Sequence, residues 1–334
     1  MAGRLTIIGG GVMGLMTAYQ AAPLAESVTV LDRSRVGDPA TASFGLTRSV
    51  RNDYPDPGYA RLAFEARRLW REFERECGRR LLVDCGCLNL VKGTVTPDLA
   101  STYAMESYAV LEQLRLRREA FTGTQLRDRF PQFDADGGWL DVDAGFADLA
   151  GLGTNDVLGL VPGCPVRFPL RPDRPVQSKY FIPPAGSRAM FTETAMPVFA
   201  YLDIGIYGHP VYEGKTPGVK IGFYDPPDVA RTPSRIGSVE EFVAECIPGL
   251  RDAEVVDVAA ASGVDTCWYD VVADGEFILG AVPGADGLYT GVGWRGTGYK
   301  FAPWVGRVLA QLALQQGTVY EIGRFAPARF GVAS

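Results

Sequence analysis

The chain begins with a short apolar run that breaks into clustered glycines, Arg4-Leu5-Thr6-Ile7-Ile8-Gly9-Gly10-Gly11-Val12-Met13-Gly14. Apolar residues then recur at helical spacing, and Val28-Thr29-Val30-Leu31-Asp32 has the composition of a second strand. This order predicts a strand, a glycine turn, a helix and a parallel strand, which together start a dinucleotide-binding fold.

The glycine pattern has a physical reason. Glycines let the backbone turn tightly and approach a pyrophosphate, and the helix N-terminus adds partial positive charge. Asp32 ends the second strand, where its carboxylate can accept hydrogen bonds from ribose hydroxyls and disfavours the 2′-phosphate of NADP. This segment leaves FAD and NAD open, with a merely glycine-rich turn as the alternative. The predicted cofactor-binding residues here are Gly9, Gly11, Val12, Met13, Gly14 and Asp32.

Composition excludes several classes of partner. The 334 residues carry a net charge of −6, so no global positive field attracts nucleic acid. The mean hydropathy is +0.02, and no apolar run reaches the roughly 18 residues that span a bilayer. The apolar N-terminus imitates a secretory signal, but its glycine cluster argues against one. The 6 cysteines are irregularly spread, so we expect reduced thiols in a soluble, cytoplasmic protein.

His209 is the single histidine, which excludes multi-histidine metal sites. No Gly-x-Ser-x-Gly accompanies it for hydrolytic chemistry, so a structural or pocket-lining role is expected. Cys85 and Cys87 have no second cysteine pair at zinc-ribbon spacing and are interpreted as two half-buried strand residues on one face. No metal site is predicted.

The rest of the chain predicts an α/β (α+β) protein. Helices are expected over residues 59–73, over 97–114 with Thr96 as N-cap, and over 238–246. Strands are expected across 81–91, in a β-rich stretch from 137 to 237, and over 255–259, 277–280 and 288–292. A last helix, with apolar residues from Phe301 to Leu312, follows a second glycine turn, Gly296-Thr297-Gly298-Tyr299-Lys300.

Glycine turns at both chain ends predict one Rossmann-like cofactor domain built from both ends and a β-rich substrate domain. The cofactor domain is predicted to comprise residues 1–80, 138–165 and 255–334. The substrate domain is predicted to comprise residues 81–137 and 166–254.

Six segments in the same order resemble the FAD-dependent amine and amino-acid oxidases of the monomeric sarcosine oxidase type. The first is the N-terminal glycine motif. The others are Gly45-Leu46-Thr47-Arg48-Ser49-Val50-Arg51, Gly205-Ile206-Tyr207-Gly208-His209-Pro210, Gly218-Val219-Lys220-Ile221-Gly222, Thr266-Cys267-Trp268-Tyr269 and Gly296-Thr297-Gly298-Tyr299-Lys300-Phe301.

The resemblance implies roles for single residues. Cys267 falls where the family ties FAD to a cysteine sulfur, although a cysteine beside Trp268 would otherwise be interpreted as core packing. Lys220 would lie over the flavin and promote its reaction with oxygen, because a fixed positive charge stabilises the anion formed. Arg51 and Lys300 would bind the substrate carboxylate. Tyr207 and Tyr269 would line the pocket. The further cofactor-binding residues implied are Arg33, Ser43, Thr47, Arg48, Gly296, Gly298 and Lys300.

Two departures from the family pattern stand out. Phe44 and Tyr224 replace histidines of the family, which argues against sarcosine itself and favours a cyclic or N-substituted amino acid. Between about Phe146 and Gly153 several tens of residues of the family's FAD domain are missing, so this domain is expected to be shortened.

The function that follows is a flavoprotein oxidase of an amino acid or secondary amine, which yields an imine and, from O₂, hydrogen peroxide. The alternatives are an FAD-dependent dehydrogenase or demethylase with another acceptor, an NAD-dependent reductase, and an accessory protein with impaired redox chemistry. The protein is expected to be a monomer or homodimer.

Overall fold

The computed structural model describes residues 3–33, 45–78, 80–92, 103–147, 171–172, 178–224, 236–258 and 269–331. Six α-helices lie in this part of the chain: α1 (Val12–Ala21), α2 (Pro57–Cys77), α3 (Tyr103–Gln113), α4 (Gly123–Arg129), α5 (Val239–Cys246) and α6 (Ala302–Ala313). The strands described there are β1 (Arg4–Ile8), β2 (Ser27–Leu31), β3 (Arg48–Val50), β4 (Cys87–Val91), β5 (Arg118–Thr122), β6 (Gly137–Asp141), β7 (Gly145–Ala147), β8 (Arg171–Pro172), β9 (Ser178–Ile182), β10 (Val198–Tyr201), β11 (Ile206–His209), β12 (Val219–Phe223), β13 (Glu254–Asp257), β14 (Asp270–Val271), β15 (Ile278–Ala281) and β16 (Tyr289–Val292).

The chain divides into two compact units. Unit 1 comprises Met1–Gly45, Leu149–Pro175 and Cys267–Ser334, and unit 2 comprises Leu46–Asp148 and Val176–Thr266. The prediction that one domain is built from both chain ends agrees with unit 1. Strand β3 and helix α2 belong to unit 2, although the predicted cofactor domain includes them. Because compactness does not define which residues bind a cofactor, the predicted domain limits remain a prediction.

In unit 1, β1 and β2 pair in parallel from Arg4↔Ser27 to Ile8↔Leu31, as the sequence predicts. Helix α1 connects them, and α6 lies beside α1, with Arg307 Nε donating to Gln20 Oε1 at 3.2 Å. Strands β15 and β16 form an antiparallel pair that precedes α6. The two chain ends therefore fold together.

Unit 2 contains an eight-stranded sheet with the order β13-β9-β12-β11-β10-β4-β6-β5. Its neighbouring strands are antiparallel except for the pair β10 and β4. Phe199 on β10 stacks on Phe242 of α5, with 5.9 Å between the ring centres. Aliphatic side chains from the same sheet complete this core. Strands β3 and β7 form a separate antiparallel pair.

Local sequence explains the helix boundaries. Helix α2 begins after Asp56, whose side chain accepts a hydrogen bond from Tyr59 N at 2.8 Å, and it ends at Gly78 with φ +65°. Helix α5 begins with a capping box between Ser238 and Glu241, within the range where the sequence predicts a helix.

Three local predictions differ from the structure or are tested only in part. Residues 81–91 contain one strand, β4, while Val83 forms only a bridge to Phe146. Cys87 is therefore a buried strand residue, whereas Cys85 precedes the strand. Helix α3 is described from Tyr103, and the predicted N-cap Thr96 lies outside the described residues.

Within the described ranges no helix is both long and apolar enough to cross a membrane.

Candidate functional site

The N-terminal glycine motif forms the turn between β1 and α1. Gly9 has φ +109°, and a Cβ at Gly14 would overlap the carbonyl oxygen of Gly9, so both positions require glycine. Gly11 is the N-cap of α1 and gives no side-chain cap, and the first turn, with Val12 and Met13, holds no acidic residue. This helix start thus keeps the positive potential that attracts phosphate.

Asp32 lies at the mouth of this turn. It directly follows β2, and its Oδ2 accepts a hydrogen bond from Gly10 N. Gly9 N donates to Leu31 O at 2.7 Å, which fixes the end of β2 against the turn. The carboxylate is thus placed beside the phosphate-binding turn, and the predicted neighbour Arg33 is exposed there.

The second glycine turn brings other predicted residues together in unit 1. Gly296 has φ +73°, and a Cβ there would overlap the ring of Tyr269. A Cβ at Gly298 would lie 3.1 Å from Met13 Cε, so the two glycine turns are neighbours. The sequence motifs at opposite chain ends therefore meet in space.

Lys300 is a buried cation in the single turn of 3₁₀ helix that precedes α6. Its Nζ donates to Thr297 Oγ1 at 2.7 Å and approaches Thr297 O at 3.4 Å. The glycine turn thus fixes an ammonium group beside its own backbone.

Asp270 is a functional candidate that the sequence analysis missed. Its carboxylate accepts hydrogen bonds from Gly293 N at 2.8 Å and Trp294 N at 3.0 Å, and its carbonyl accepts from Arg295 N at 2.9 Å. Burial raises its pKa to about 6. Asp270 ties the segment after Tyr269 to the second glycine turn, and a carboxylate within the apolar run 267–272 was the available signal.

In unit 2, Arg51 lies in a buried polar cluster directly after β3. Its Nη1 donates to Asp53 Oδ1 at 2.6 Å and to Asp53 O at 3.0 Å, and it lies 3.3 Å from Tyr103 Oη. Burial alone would lower the pKa of Arg51, but Asp53 and nearby tyrosines raise it well above its ordinary value. Arg51 is therefore a permanent cation that an acidic partner holds in one orientation.

Three tyrosine rings surround the Arg51 guanidinium. Its Cζ lies 5.2 Å from the ring centre of Tyr54, 5.9 Å from that of Tyr103 and 5.9 Å from that of Tyr224. These are cation–π distances, so the rings stabilise the charge and restrict the space around it. Tyr224, which the sequence analysis noted as a departure from the family, belongs to this set.

Asp141 lies behind this cluster and was also missed. It ends β6, and its Oδ2 accepts from Asn52 N at 2.7 Å. Burial and the charge of Asp53 raise the pKa of Asp141 to about 7, against the hydrogen bonds from Asn52. The position of Asp141 depends on the pairing of β6 with β4. No local sequence pattern around residue 141 indicates this pairing.

A second cluster of unit 2 contains Lys220. Lys220 is buried on β12 and lies directly across from His209 on β11. Its Nζ lies 5.9 Å from the ring centre of Tyr207. Residues 219–222 of β12 are all buried, so Lys220 lies within the protein rather than on a solvated face.

Thr47 and Arg48 lie beside this lysine cluster. His209 Nδ1 is 2.6 Å from Thr47 Oγ1, so the histidine is held by a buried hydroxyl. Arg48 Nη1 donates to Thr47 O at 3.1 Å. Five predicted site residues, Thr47, Arg48, Arg51, Tyr207 and Lys220, therefore lie in unit 2.

Some predictions lie outside the described residues, namely those on Ser43, Phe44, Cys267 and Trp268. Among the described side chains no group of three or more His, Cys, Asp or Glu residues forms a metal-ligand cluster.

The residues of unit 1 fit a flavin dinucleotide. An uncapped helix start without acidic residues suits a pyrophosphate, and Asp32 at the same turn suits a ribose. The second glycine turn offers backbone without side chains, with the Lys300 ammonium beside it.

Comparison with known proteins agrees with this fit. The FAD dependent oxidoreductase (DAO) family description matches residues 4–154 and 149–312. The peroxisomal sarcosine oxidase of Mus musculus is 27% identical over 394 aligned residues, which cover 98% of this chain and 96% of the relative. The N-methyl-L-tryptophan oxidase of Yersinia pestis (strain Pestoides F) is 24% identical over 378 aligned residues, which cover 98% of this chain and 99% of the relative.

Solved structures show the same fold. The L-proline dehydrogenase of P. horikoshii superposes with a TM-score of 0.74 at 17% identity, with 98% of each chain covered. NikD, described as an unusual amino acid oxidase essential for nikkomycin biosynthesis, superposes with a TM-score of 0.70 at 21% identity, again with 98% of each chain covered.

Because the matched family is FAD-dependent, the comparison decides between FAD and NAD, which the N-terminal motif left open, in favour of FAD. The matched ranges span most of the 334 residues. The chain belongs to the DAO family of FAD-dependent oxidoreductases, whose members act on amines and amino acids.

Proposed function

We propose that this protein is an FAD-dependent oxidase of a cyclic or N-substituted amino acid. The observation that carries this proposal is the Arg51 cluster, a buried and preoriented carboxylate site with aromatic walls. When bound, FAD supplies the redox chemistry: it accepts a hydride from the carbon that bears the nitrogen and passes the electrons to O₂, which yields an imine and hydrogen peroxide.

Arg51 suits a substrate carboxylate because one side of its guanidinium is already held. Within the described part of the chain, Nη1 makes all the hydrogen bonds of this side chain, to Asp53 and Tyr103. The edge formed by Nε and Nη2 remains for a ligand. This edge presents two parallel donors, which match the two oxygens of a carboxylate.

The surrounding rings support a substrate with a bulky or cyclic nitrogen substituent. Tyr54, Tyr103 and Tyr224 lie within 5.9 Å of the Arg51 Cζ, so a carboxylate there has aromatic surface beside it. When an apolar ring packs against these tyrosine rings, each Å² of apolar surface removed from water contributes about 25 cal/mol to the binding free energy. The methyl group of sarcosine is too small to use this surface, while a proline-like or pipecolate-like ring uses it.

Lys220 is proposed to favour electron transfer to O₂. It is a buried cation whose neighbour across the sheet, His209, is held neutral. A buried positive charge stabilises an anion more strongly than an exposed one does, because little solvent screens it. The resemblance to the oxidases assigns the same role to this lysine.

Cys267 is proposed to hold FAD through a thioether to the flavin 8α carbon. The support is the resemblance of Thr266-Cys267-Trp268-Tyr269 to the family's attachment segment. The described cysteines, Cys77, Cys85, Cys87 and Cys246, form no disulfide, which supports the proposed reducing, cytoplasmic location. For Lys300 and the other predicted cofactor contacts we retain the roles that the resemblance implies.

A panel of amino acids tests the reaction. Purified protein is mixed in air with sarcosine, N-methylated amino acids, proline and pipecolate, and hydrogen peroxide is measured together with substrate consumed. The proposal predicts one peroxide per substrate and a preference for the ring compounds. Turnover with an artificial acceptor but not with O₂ would establish a dehydrogenase, and flavin without turnover on any substrate would favour an accessory protein.

A further inference from the structure

The only histidine of the chain has both ring nitrogens engaged. Its Nδ1 lies 2.6 Å from Thr47 Oγ1, and its Nε2 lies 2.7 Å from Ser49 Oγ. The ring is 1% exposed and stacks on Phe146 at 5.9 Å with an interplanar angle of 15°. His209 therefore has a single orientation, fixed by two hydroxyl groups and one aromatic face.

One hydroxyl belongs to the short strand β3, which leads to Arg51, and the other belongs to Thr47, the residue directly before that strand. Residues 47 and 49 are two apart on extended backbone, so their side chains share a face. Strand β3 pairs with β7, whereas His209 ends β11 in the eight-stranded sheet. His209 thus ties the segment 47–51 to the sheet that carries Lys220.

The imidazole is neutral. Burial lowers the pKa of His209 well below its ordinary value, and the charges of Lys220 on β12 and Arg48 on β3 lower it further. The other titratable group near the ring is Tyr207 on β11, at 5.7 Å between ring centres. A neutral imidazole has one donor and one acceptor, so one hydroxyl donates to it and the other accepts from it.

This asymmetry has a chemical consequence for Thr47. If Nδ1 carries the proton, Thr47 accepts from His209 and can donate its own hydrogen elsewhere. If Nδ1 lacks the proton, Thr47 donates to His209 and presents only lone pairs. The histidine tautomer therefore determines what hydrogen bond Thr47 can offer to a bound group.

We propose that His209 is a positioning residue: as an uncharged neighbour of Lys220, it fixes the hydrogen bonding of the Thr47 hydroxyl and holds the segment 47–51, which leads to Arg51, in register beside that lysine. The inference deepens the proposed function and rests on it for the identity of the cofactor. A residue that only fills space would need neither of the two hydroxyl contacts, since Phe146 already packs on the ring face.

A single histidine makes the direct test clean. Flavin-loaded protein without a histidine tag, labelled with ¹⁵N-histidine, gives two ring nitrogen resonances from His209 alone. We expect a neutral ring in one tautomer between pH 6 and 8, where an ordinary histidine titrates near pKa about 6.5. Thr47→Val should shift the Nδ1 resonance and Ser49→Ala the Nε2 resonance. Ser107→Ala is the control and should shift neither, because it removes a buried hydroxyl whose hydrogen bonds stay within α3.

Substitutions at His209 test the consequence for the flavin. His209→Phe keeps the stack on Phe146 but loses both hydroxyl contacts, so we expect a shifted flavin absorption spectrum and about 10- to 100-fold slower anaerobic flavin reduction. His209→Asn retains a polar atom near the Nδ1 position and should restore most of the wild-type flavin spectrum and most of the rate of flavin reduction. His209→Gln reaches the Nε2 position and should restore less.

A double substitution decides whether His209 acts through Thr47. If it does, His209→Phe adds little to the loss that Thr47→Val already causes. The proposal would be overturned if the two substitutions slowed flavin reduction independently, so that their effects multiplied. It would also be overturned if Thr47→Val left the ring nitrogen resonances of His209 unchanged. If the wild type binds flavin but oxidises no amine, the proposed function fails while the resonances and the flavin spectrum still test His209. If His209→Phe does not fold, Thr47→Val and His209→Asn carry the test.

Discussion

At the scale of single residues, the site depends on buried charges that are already partnered. Arg51 is paired with Asp53, and Lys300 donates to Thr297 in its own turn. Because these partners fix the side chains before a ligand arrives, little side-chain entropy is lost on binding. The sequence resemblance identified the cations, but it did not identify Asp53 or Asp141, because no motif marks a carboxylate whose partner is reached only through the fold.

Replacement of Arg51 should separate carboxylate binding from the chemistry. Arg51→Lys removes the two parallel donors and should lower kcat/KM for amino acids by about 30- to 1,000-fold, equivalent to about 2–4 kcal/mol. The loss should be much smaller for the corresponding amine without a carboxylate. Arg118→Lys is the control, because Arg118 also lies over a tyrosine, at 4.9 Å from the ring of Tyr108, but bonds to Glu112. Equal losses on both substrates would contradict the carboxylate role.

The protonation of Asp141 should make stability depend on pH. Its folded pKa of about 7 lies above the ordinary value of 3.8, so its contribution is fully present below about pH 4 and is lost as pH rises through 7. Through Asp141, the free energy of unfolding should therefore fall between about pH 4 and 7, by at most about 1.4 kcal/mol per pH unit, and should level off above pH 7.

Between pH 6 and 7, Asp141→Asn should remove this contribution to the slope, whereas Asp270→Asn should keep most of it, because the pKa of Asp270 is about 6 and its own contribution is mostly lost below this interval. Urea unfolding at several pH values measures both variants. A slope that persists in Asp141→Asn would show that another group titrates.

At the scale of elements, local signals predicted most of the helices and strands. The apolar spacing placed α1, α2 and α6, and Ser238 placed the start of α5. The order of the eight-stranded sheet could not be predicted, because β4 pairs with β10 and β6, which lie far away in sequence. The strand pattern alone could not predict the burial of Lys220 for the same reason, because period-two alternation gives the face of a strand but not what covers it.

The second glycine turn yields a prediction with a matched control. Gly296→Ala and Gly287→Ala both place a side chain at positive φ, +73° and +75°, but only the Cβ at position 296 would overlap Tyr269. Gly287→Ala should cost about 1 kcal/mol of stability. Gly296→Ala should cost more and should also change the flavin spectrum, because Tyr269 must move. Thermal unfolding and absorption spectra measure both, and identical behaviour of the two variants would contradict a role for this turn beyond its backbone geometry.

At the scale of the whole molecule, the sequence predicts a cofactor domain that is short for its family. The two matched ranges of the family meet at residues 149–154, where the sequence analysis places the missing segment. The alignment with the mouse relative runs over 394 residues against 334 in this chain, so it contains gaps in this chain. In the described part of unit 1, β1 pairs with β2 alone. Fewer backbone contacts should weaken the noncovalent hold on FAD.

Retention of FAD should therefore depend on Cys267. Cys267→Ser removes the proposed thioether, and we expect the variant to lose most of its flavin during dialysis while the wild type keeps it. Acid precipitation should leave the yellow colour in the wild-type pellet. Cys77→Ser is the control, since Cys77 is an exposed thiol at the end of α2. Equal flavin content in wild type and Cys267→Ser would show that noncovalent contacts suffice.

The central claim is that this chain binds FAD and oxidises an amino acid with it. The most direct test is the visible spectrum of the purified protein, recorded without oxygen before and after addition of a cyclic secondary amino acid such as pipecolate, and again after air is admitted. We expect a flavin band that bleaches with the substrate and returns in air with release of hydrogen peroxide. A protein without a flavin band, or a band that no amino acid bleaches, would contradict this claim.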